Sequence, residues 1–218
     1  MATIYQLNSK NPQERSIDQI VQALKKGAIM LYPTDTVYAI GCDLNSKSAV
    51  ERVRRIKQLS SDKPLTFLCS SLSHISEYAV VSDEAYRIMK RLIPGPFTFL
   101  LPTTKLVPKL VMSPKRKTTG IRVPDHNICH TLLESLDNPI ISTSAHLPDE
   151  DGEYPSYEWE KVKLFDHLEK QVDIILDDET PPGLKVSTII DLSTPEPSLV
   201  RKGLGWEKIE DWLTFTNV

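Results

Sequence analysis

Helical and strand-like segments alternate along most of this chain. Residues 17–26 carry apolar side chains at helical spacing, and Ser16 with Gln19 forms a capping-box signature at their start. A short apolar run at 28–32, ended by Pro33, is typical of a buried strand. Because this order of helix and strand repeats, the sequence predicts an α/β fold in which helices cover a sheet.

The later elements follow the same rule. Ser46, Ser82 and Asp125 are predicted helix N-caps, Gly27 is predicted to end the first helix, and a polar helix is predicted over 154–172. Further strands are predicted at 65–69, 97–101, 118–123, 139–143, 174–176, 187–192 and 198–201. Since short turns separate the last of these, antiparallel pairing is expected there, and with it a mixed sheet.

Length and charge narrow the class of protein. The 218 residues show no internal repeat and no linker, so one domain over 1–218 is expected. A net charge of −3 predicts no general attraction to nucleic acid or anionic membranes, so an anion site has to be a local basic patch. We expect a cytoplasmic protein, because no leader or membrane-spanning run is visible and the three cysteines (Cys42, Cys69 and Cys129) suit a reducing compartment as small buried residues.

Glycine is scarce and proline abundant, with 8 and 16 residues respectively. Neither the P-loop pattern nor the dinucleotide-binding G-x-G-x-x-G pattern occurs. A glycine-rich phosphate cradle is therefore not expected, and any bound phosphate has to be held by side chains.

Hydroxyl and cationic side chains gather at the predicted strand ends and loops. They are Thr34, Asp35, Thr36, Tyr38, Lys57, Thr118, Arg122, Ser142, Ser144, His146, Ser187 and Arg201, together with the basic run 115–117. Separately, each also fits a structural role, such as a self-bonded turn, a solvated helix end or a solvated loop. Together they suit the binding of phosphate and carboxylate better than proton abstraction.

Two other constellations are rejected on spacing. His126, Cys129 and His130 share one face of a predicted helix but lack a further ligand cluster for zinc. Ser144 and His146 lie only two residues apart, and no G-x-S-x-G nucleophile elbow occurs. Neither a metal site nor a serine hydrolase is expected.

Seven ordered motifs resemble the YrdC-like family of threonylcarbamoyl-AMP synthases, and most closely its YciO branch. They run over about residues 10–205: YPTDTVY from Tyr32, Lys57 with KPL from Lys63, PGPFT from Pro94, GIRVPDH from Gly120, STSA from Ser142, STIID from Ser187 and VRKG from Val200. Such a series in order is far more specific than any single motif.

The resemblance implies a single-domain twisted mixed sheet flanked by helices, with a large concave basic cavity. The implied activity forms threonylcarbamoyl-AMP and pyrophosphate from L-threonine, bicarbonate and ATP with Mg²⁺, for t6A modification of tRNA together with other proteins of that pathway. By the same resemblance Thr34, Thr36, Tyr38, Arg122, Ser142 and Ser187 bind threonine, and Lys57, Thr118, Ser144 and Arg201 bind the nucleotide. Lys57 and Arg122 are the residues expected to act in catalysis.

Three departures from the family pattern are visible, one of which is the missing histidine a few residues after the Pro-Leu pair, where Leu68 or Cys69 stands instead. Leu59 stands where a synthase has arginine, and His146 where it has asparagine. Three functions therefore stay open: a synthase, a paralogue that binds or hydrolyses a nucleotide or acyl-adenylate, and a non-catalytic protein that binds double-stranded RNA or tRNA. The last would use the run 115–117 and the arginines within 52–55.

Overall fold

The computed structural model of the protein describes residues 1–59, 64–113, 115, 117–145 and 161–211. Over these residues the strands are β1 (Thr3–Gln6), β2 (Ile29–Tyr32), β3 (Ala39–Asp43), β4 (Thr66–Leu68), β5 (Phe97–Pro102), β6 (Thr118–Arg122), β7 (Ile140–Ser144), β8 (Ile174–Asp177), β9 (Thr188–Asp191) and β10 (Ser198–Arg201). The helices are α1 (Glu14–Lys25), α2 (Lys47–Ile56), α3 (Leu72–Tyr78), α4 (Asp83–Leu92), α5 (Asn127–Leu136) and α6 (Lys161–Leu168), followed by a 3₁₀ turn at Trp206–Lys208.

All ten strands belong to one mixed sheet, in the order β1-β8-β2-β3-β7-β4-β6-β5-β9-β10. The predicted α/β class, the mixed sheet and the antiparallel pairing of β9 with β10 are confirmed. β8 does not pair with the strands that are next to it in sequence. It inserts between β1 and β2 and runs parallel to both.

Several predicted helix ends are also confirmed. Ser46 and Ser82 accept hydrogen bonds from backbone amides at the starts of α2 and α4, and Gly27 adopts φ +92° just beyond α1. Two predicted caps are wrong. α1 already begins at Glu14, which places Ser16 inside its first turn, and α5 is preceded by His126 rather than Asp125.

Three elements escaped the sequence interpretation. β3 was hidden because the polar segment before it resembles a long loop, although every residue of the strand is buried. β1 is short and mostly exposed, and α3 lacks a clear apolar stripe. The predicted helix over 154–172 is observed as α6 only, and its first part lies outside the described residues.

Helices pack on both faces of the sheet. α1 and α5 contact each other and cover one face, where Ile20, Leu24 and Leu132 pack on Met30 and Tyr32. The larger apolar cluster includes residues of α2, α4 and α6 and of the central strands. All three cysteines are buried and reduced, as predicted, and burial raises the pKa of the Cys42 and Cys69 thiols to about 12. No helix in the described ranges is long and apolar enough to cross a bilayer.

The segment between β8 and β9, residues 178–187, links strands that stand near opposite ends of the sheet. Seven strand spacings of about 4.8 Å amount to about 34 Å in a flat sheet, whereas ten extended residues reach about 33–36 Å. β8 and β9 also run in the same direction, so the segment must additionally cross the length of the strands. The connection is therefore short relative to the width of a flat sheet of this size.

Candidate functional site

A polar cavity opens over the central strands, on the sheet face that α1 and α5 cover only in part. Its lining is drawn from most of the strands between β3 and β10 and from the loops around them. The lining residues are Thr34, Thr36, Val37, Ala39, Lys57, Leu59, Pro64, Thr66, Leu68, Thr98, Arg122, Ser142, Thr143, Ser144, Val186, Ser187, Ile189 and Arg201. The cavity therefore brings together most of the side chains singled out in the sequence.

Gly120 on β6 lies beside the cavity and pairs with Thr66. A methyl group on Gly120 would lie 3.1 Å from Thr66 Oγ1 and 3.3 Å from Thr98 Cγ2, so the missing side chain leaves room between two lining residues.

The hydroxyl-rich segment after β2 holds itself in place. Thr34 Oγ1 donates to the carbonyl of Val37 at 2.7 Å and accepts from the backbone amide of Thr36 at 3.1 Å. Farther along, the amide of Ala145 donates to the carbonyl of Tyr38, which fixes the segment to the end of β7. The segment 34–37 is therefore a self-bonded turn, and the same segment contains the threonines expected to bind the ligand.

Arg122 is a buried cation of the cavity lining. Its Nη1 donates to Thr36 Oγ1 at 2.9 Å, and its Nη2 pairs with Asp35 Oδ1 at 2.5 Å. Only 7% of Arg122 is exposed, and its Nε has no hydrogen-bond partner among the described residues. A guanidinium has five N–H donors, so Arg122 keeps donors beyond these two contacts and is suited to receive a ligand carboxylate.

Ser142 lies on β7, which is separated from β6 and Arg122 by β4. Its Oγ accepts a hydrogen bond from the buried Tyr32 hydroxyl at 2.6 Å. Only 5% of Ser142 is exposed, so its hydroxyl faces the cavity rather than bulk solvent.

Arg201 and Ser187 form the far end of the cavity. Arg201 Nη2 donates to the Ser187 carbonyl at 2.8 Å and to Ser187 Oγ at 3.2 Å, while Ser187 Oγ lies 2.8 Å from Thr98 Oγ1. These contacts connect β10, β9 and β5, so the cation at this end is held by the sheet itself.

Lys57 and Leu59 line the cavity immediately after α2. Lys57 is the C-cap residue of that helix and only 8% exposed, which disagrees with the alternative of a solvated lysine. Leu59 also lines the cavity, and its amide donates to the Arg54 carbonyl. The apolar residue at the family's arginine position thus lies inside the site.

Two of the predicted site residues lie away from this lining. Tyr38 donates its hydroxyl to Asp178 Oδ1 at 3.3 Å, and its ring packs edge-on against Phe165. Burial and the Asp178 carboxylate raise the pKa of the Tyr38 phenol. Thr118 is buried at the far end of β6, opposite Pro102. His146 lies outside the described residues.

The rejected zinc constellation is spread over separate partners. Cys129 Sγ contacts the Pro33 carbonyl, His126 Nε2 lies 3.5 Å from Asp178, and His130 pairs with Glu134. No cluster of His, Cys, Asp and Glu that could hold a metal ion occurs in the described part of the chain.

Two of the three arginines considered for RNA binding are engaged within the protein. Arg52 makes two hydrogen bonds to the Asp173 carboxylate, and Arg54 donates to the Leu110 carbonyl while only 8% exposed. Of the neighbouring basic run, Arg116 lies outside the described residues. Two of the guanidiniums on which the RNA hypothesis depends are thus already occupied.

Mg²⁺ in nucleotide sites is bound by one or two carboxylates and by substrate phosphates. The described lining of the cavity contains no carboxylate, and the nearby Asp35 is paired with Arg122. The described lining residues therefore provide no magnesium site of their own.

Sequence reasoning did not identify the residues behind the cavity wall. Asp35 was noted only as one more polar residue, and its pairing with Arg122 joins positions far apart in sequence. Tyr32 was interpreted as a strand residue. Its ring leans across β3 because Tyr32 pairs with Ala39, two residues from Gly41, and the sequence pattern carries no signal of that register.

Comparison with known proteins places these features in a family. The family model for Sua5, YciO and YrdC proteins, described as "Telomere recombination", matches residues 22–203. The chain is 42% identical to the uncharacterized protein YciO of Escherichia coli K12 over 205 residues, covering 94% of this chain and 97% of that protein. It is 32% identical to a threonylcarbamoyl-AMP synthase of Vibrio vulnificus, covering 86% and 98% of the two chains.

Solved structures agree. The crystal structure of E. coli YciO superposes with a TM-score of 0.85 at 40% identity, covering 94% of this chain and 97% of that one. Pyrococcus abyssi Sua5 complexed with L-threonine superposes with a TM-score of 0.84 at 27% identity, covering 96% of this chain and 60% of that one. The chain therefore belongs to the Sua5/YciO/YrdC family.

Proposed function

We propose that this protein binds L-threonine and ATP in the cavity and, with bicarbonate, forms threonylcarbamoyl-AMP and pyrophosphate for t6A modification of tRNA. The observation that carries the proposal is the convergence of Arg122, Ser142 and Ser187 with Lys57, Ser144 and Arg201 on one cavity. The structure of a relative complexed with L-threonine supports the choice of amino acid.

Two groups of lining residues would divide the work. Arg122, with Ser142 and Ser187, binds the threonine carboxylate, and the hydroxyls of Thr34 and Thr36 face the rest of the amino acid. Lys57, Ser144 and Arg201 hold the phosphates. Catalysis then comes from positioning the reactants and from neutralising charge that develops on the phosphates.

Pyrophosphate release from ATP tests the proposal. We expect release that requires both L-threonine and bicarbonate, and a large loss for Arg122→Lys, because lysine lacks the planar, multi-donor group that a carboxylate is expected to meet here. Arg87→Lys, at an exposed position of α4, is the matched control. Release that is independent of threonine would overturn the proposal.

A second function is favoured by one observation, the presence of Leu59 within the cavity lining. One preorganised donor contributes about 3–4 kcal/mol to transition-state stabilisation, so its replacement by leucine weakens the hold on a triphosphate. A paralogue that binds or hydrolyses an acyl-adenylate needs to hold only one phosphate. Cleavage of threonylcarbamoyl-AMP to AMP, without synthesis in the presence of ATP, would identify this function.

A further inference from the structure

Tyr32 lies behind the cavity, completely buried between the sheet and the helices α1 and α5. It pairs with Ala39 across β2 and β3, while Gly41, two residues farther on, pairs with Ser142 on β7. A methyl group on Gly41 would come within 2.8 Å of Tyr32 Cε1. The ring therefore leans diagonally across β3, through the space that a side chain at position 41 would fill, to reach Ser142.

This contact has a defined direction. The Tyr32 hydroxyl donates to Ser142 Oγ at 2.6 Å. Burial raises the pKa of the Tyr32 phenol well above its ordinary value, so the group stays protonated and remains a donor at every physiological pH.

A serine hydroxyl has one proton to donate and two lone pairs that accept. Since Tyr32 occupies a lone pair of Ser142, the serine proton is left to donate elsewhere, and no acceptor for it occurs among the described residues. Ser142 lines the cavity together with Arg122, whose guanidinium carries only donors. The free proton of Ser142 and the guanidinium thus line the same space.

We propose that Tyr32 is a positioning residue that fixes Ser142 as a hydrogen-bond donor to the carboxylate of the amino acid bound by Arg122. The identity of the ligand rests on the proposed function, whereas the role of Tyr32 rests on the contact through Gly41. Without the tyrosine hydroxyl, Ser142 is free to turn and to present a lone pair, which repels a carboxylate.

The test is a double-mutant cycle on ligand affinity, measured by calorimetry with L-threonine. Tyr32→Phe is expected to weaken binding about 5–10-fold, and Ser142→Ala about 10–100-fold, with the larger loss reflecting a hydrogen bond to a charged group. In the Ser142→Ala background, Tyr32→Phe should have almost no further effect, because the group it orients is gone. Affinity for ATP should stay unchanged in both variants.

Tyr5→Phe is the matched control, since Tyr5 packs against the same apolar cluster on β1 without reaching the cavity. A merely structural role for Tyr32 predicts the same loss of affinity in both backgrounds, and that result would overturn the proposal. So would unchanged threonine affinity in Tyr32→Phe.

The proposed function is tested separately from the role of Tyr32. If the wild-type protein binds another L-amino acid instead of L-threonine, the cycle is run with that ligand. Coupling between positions 32 and 142 then supports the role of Tyr32 while the threonine-specific function fails. If no amino acid binds at millimolar concentration, the assignment of Ser142 as a carboxylate donor is overturned as well.

Discussion

Gly183, in the 178–187 segment, lies against the backbone of Thr36 in the proposed binding loop. A methyl group added to it would stand 1.4 Å from the carbonyl oxygen of Thr36 and 2.6 Å from the carbonyl carbon. Both atoms belong to the backbone, so no side-chain rotation can relieve the clash. To reach an ordinary contact of 3.4 Å, the two segments must separate by about 2 Å.

That separation displaces a residue of the cavity lining, Thr36. The clash is with the backbone of Thr36, and the hydroxyl of the same residue accepts the hydrogen bond from Arg122. Gly183 does not have a positive φ, so an alanine there is not strained in its backbone and the effect comes from contact alone. Overpacking costs about 1–3 kcal/mol, more than the roughly 0.4–1 kcal/mol that alanine contributes by restricting the unfolded chain.

We therefore expect Gly183→Ala to lower the free energy of unfolding in urea and to weaken L-threonine binding by about 10–100-fold, as displacements of this size do. Lys185→Ala, at an exposed position of the same segment, should leave both quantities unchanged. Wild-type stability and affinity in Gly183→Ala would show that the segment does not press on the Thr36 loop, and would refute the reasoning.

Three further outcomes are expected. Gly120→Ala should reduce ligand affinity in calorimetry with a loss of stability below about 1 kcal/mol, because its new contacts at 3.1 and 3.3 Å are with side chains that can shift slightly. Burial raises the pKa of Asp178, but hydrogen bonds from His126 and Thr180 and the charge of Lys161 lower it further than burial raises it. The folded-state pKa of Asp178 is thus below the unfolded value of about 3.9, so ionised Asp178 stabilises the folded protein. In urea titrations, Asp178→Asn should lower the free energy of unfolding by its full amount above about pH 5, and by less as the pH falls below about 4. Leu59→Arg should increase threonine-dependent pyrophosphate release if position 59 limits synthesis, and an unchanged rate would assign the limit elsewhere.

Local patterns predicted the helices and strands well wherever the apolar spacing was regular. The buried faces of α1, α2 and α4 agree with the spacing of their apolar residues. β3 was missed because five consecutive buried residues, including Gly41 and Asp43, show no alternation. The strand order was not predictable either, since the place of β8 depends on pairing with residues far away in sequence.

The candidate site was predictable as a set of residue types, but not as a geometry. The ordered motifs identified Arg122 and Ser142, while their partners Asp35 and Tyr32 became apparent only from the folded chain. A hydrogen bond such as that between Tyr32 and Ser142 spans 110 positions. It depends on strand register and on the missing side chain at position 41, neither of which any local pattern reports.

The insertion of β8 between β1 and β2 also constrains the order of folding. The two N-terminal strands emerge first during synthesis, but their hydrogen-bonding edges are joined only when residues 174–177 arrive between them. Pairings of such large sequence separation are slow to form, because the loop must close before any contact stabilises it. This end of the sheet therefore forms only after residues 174–177 have been synthesised. A nascent or truncated chain that stops before residue 174 exposes an unpaired edge of β2, which is open to aggregation.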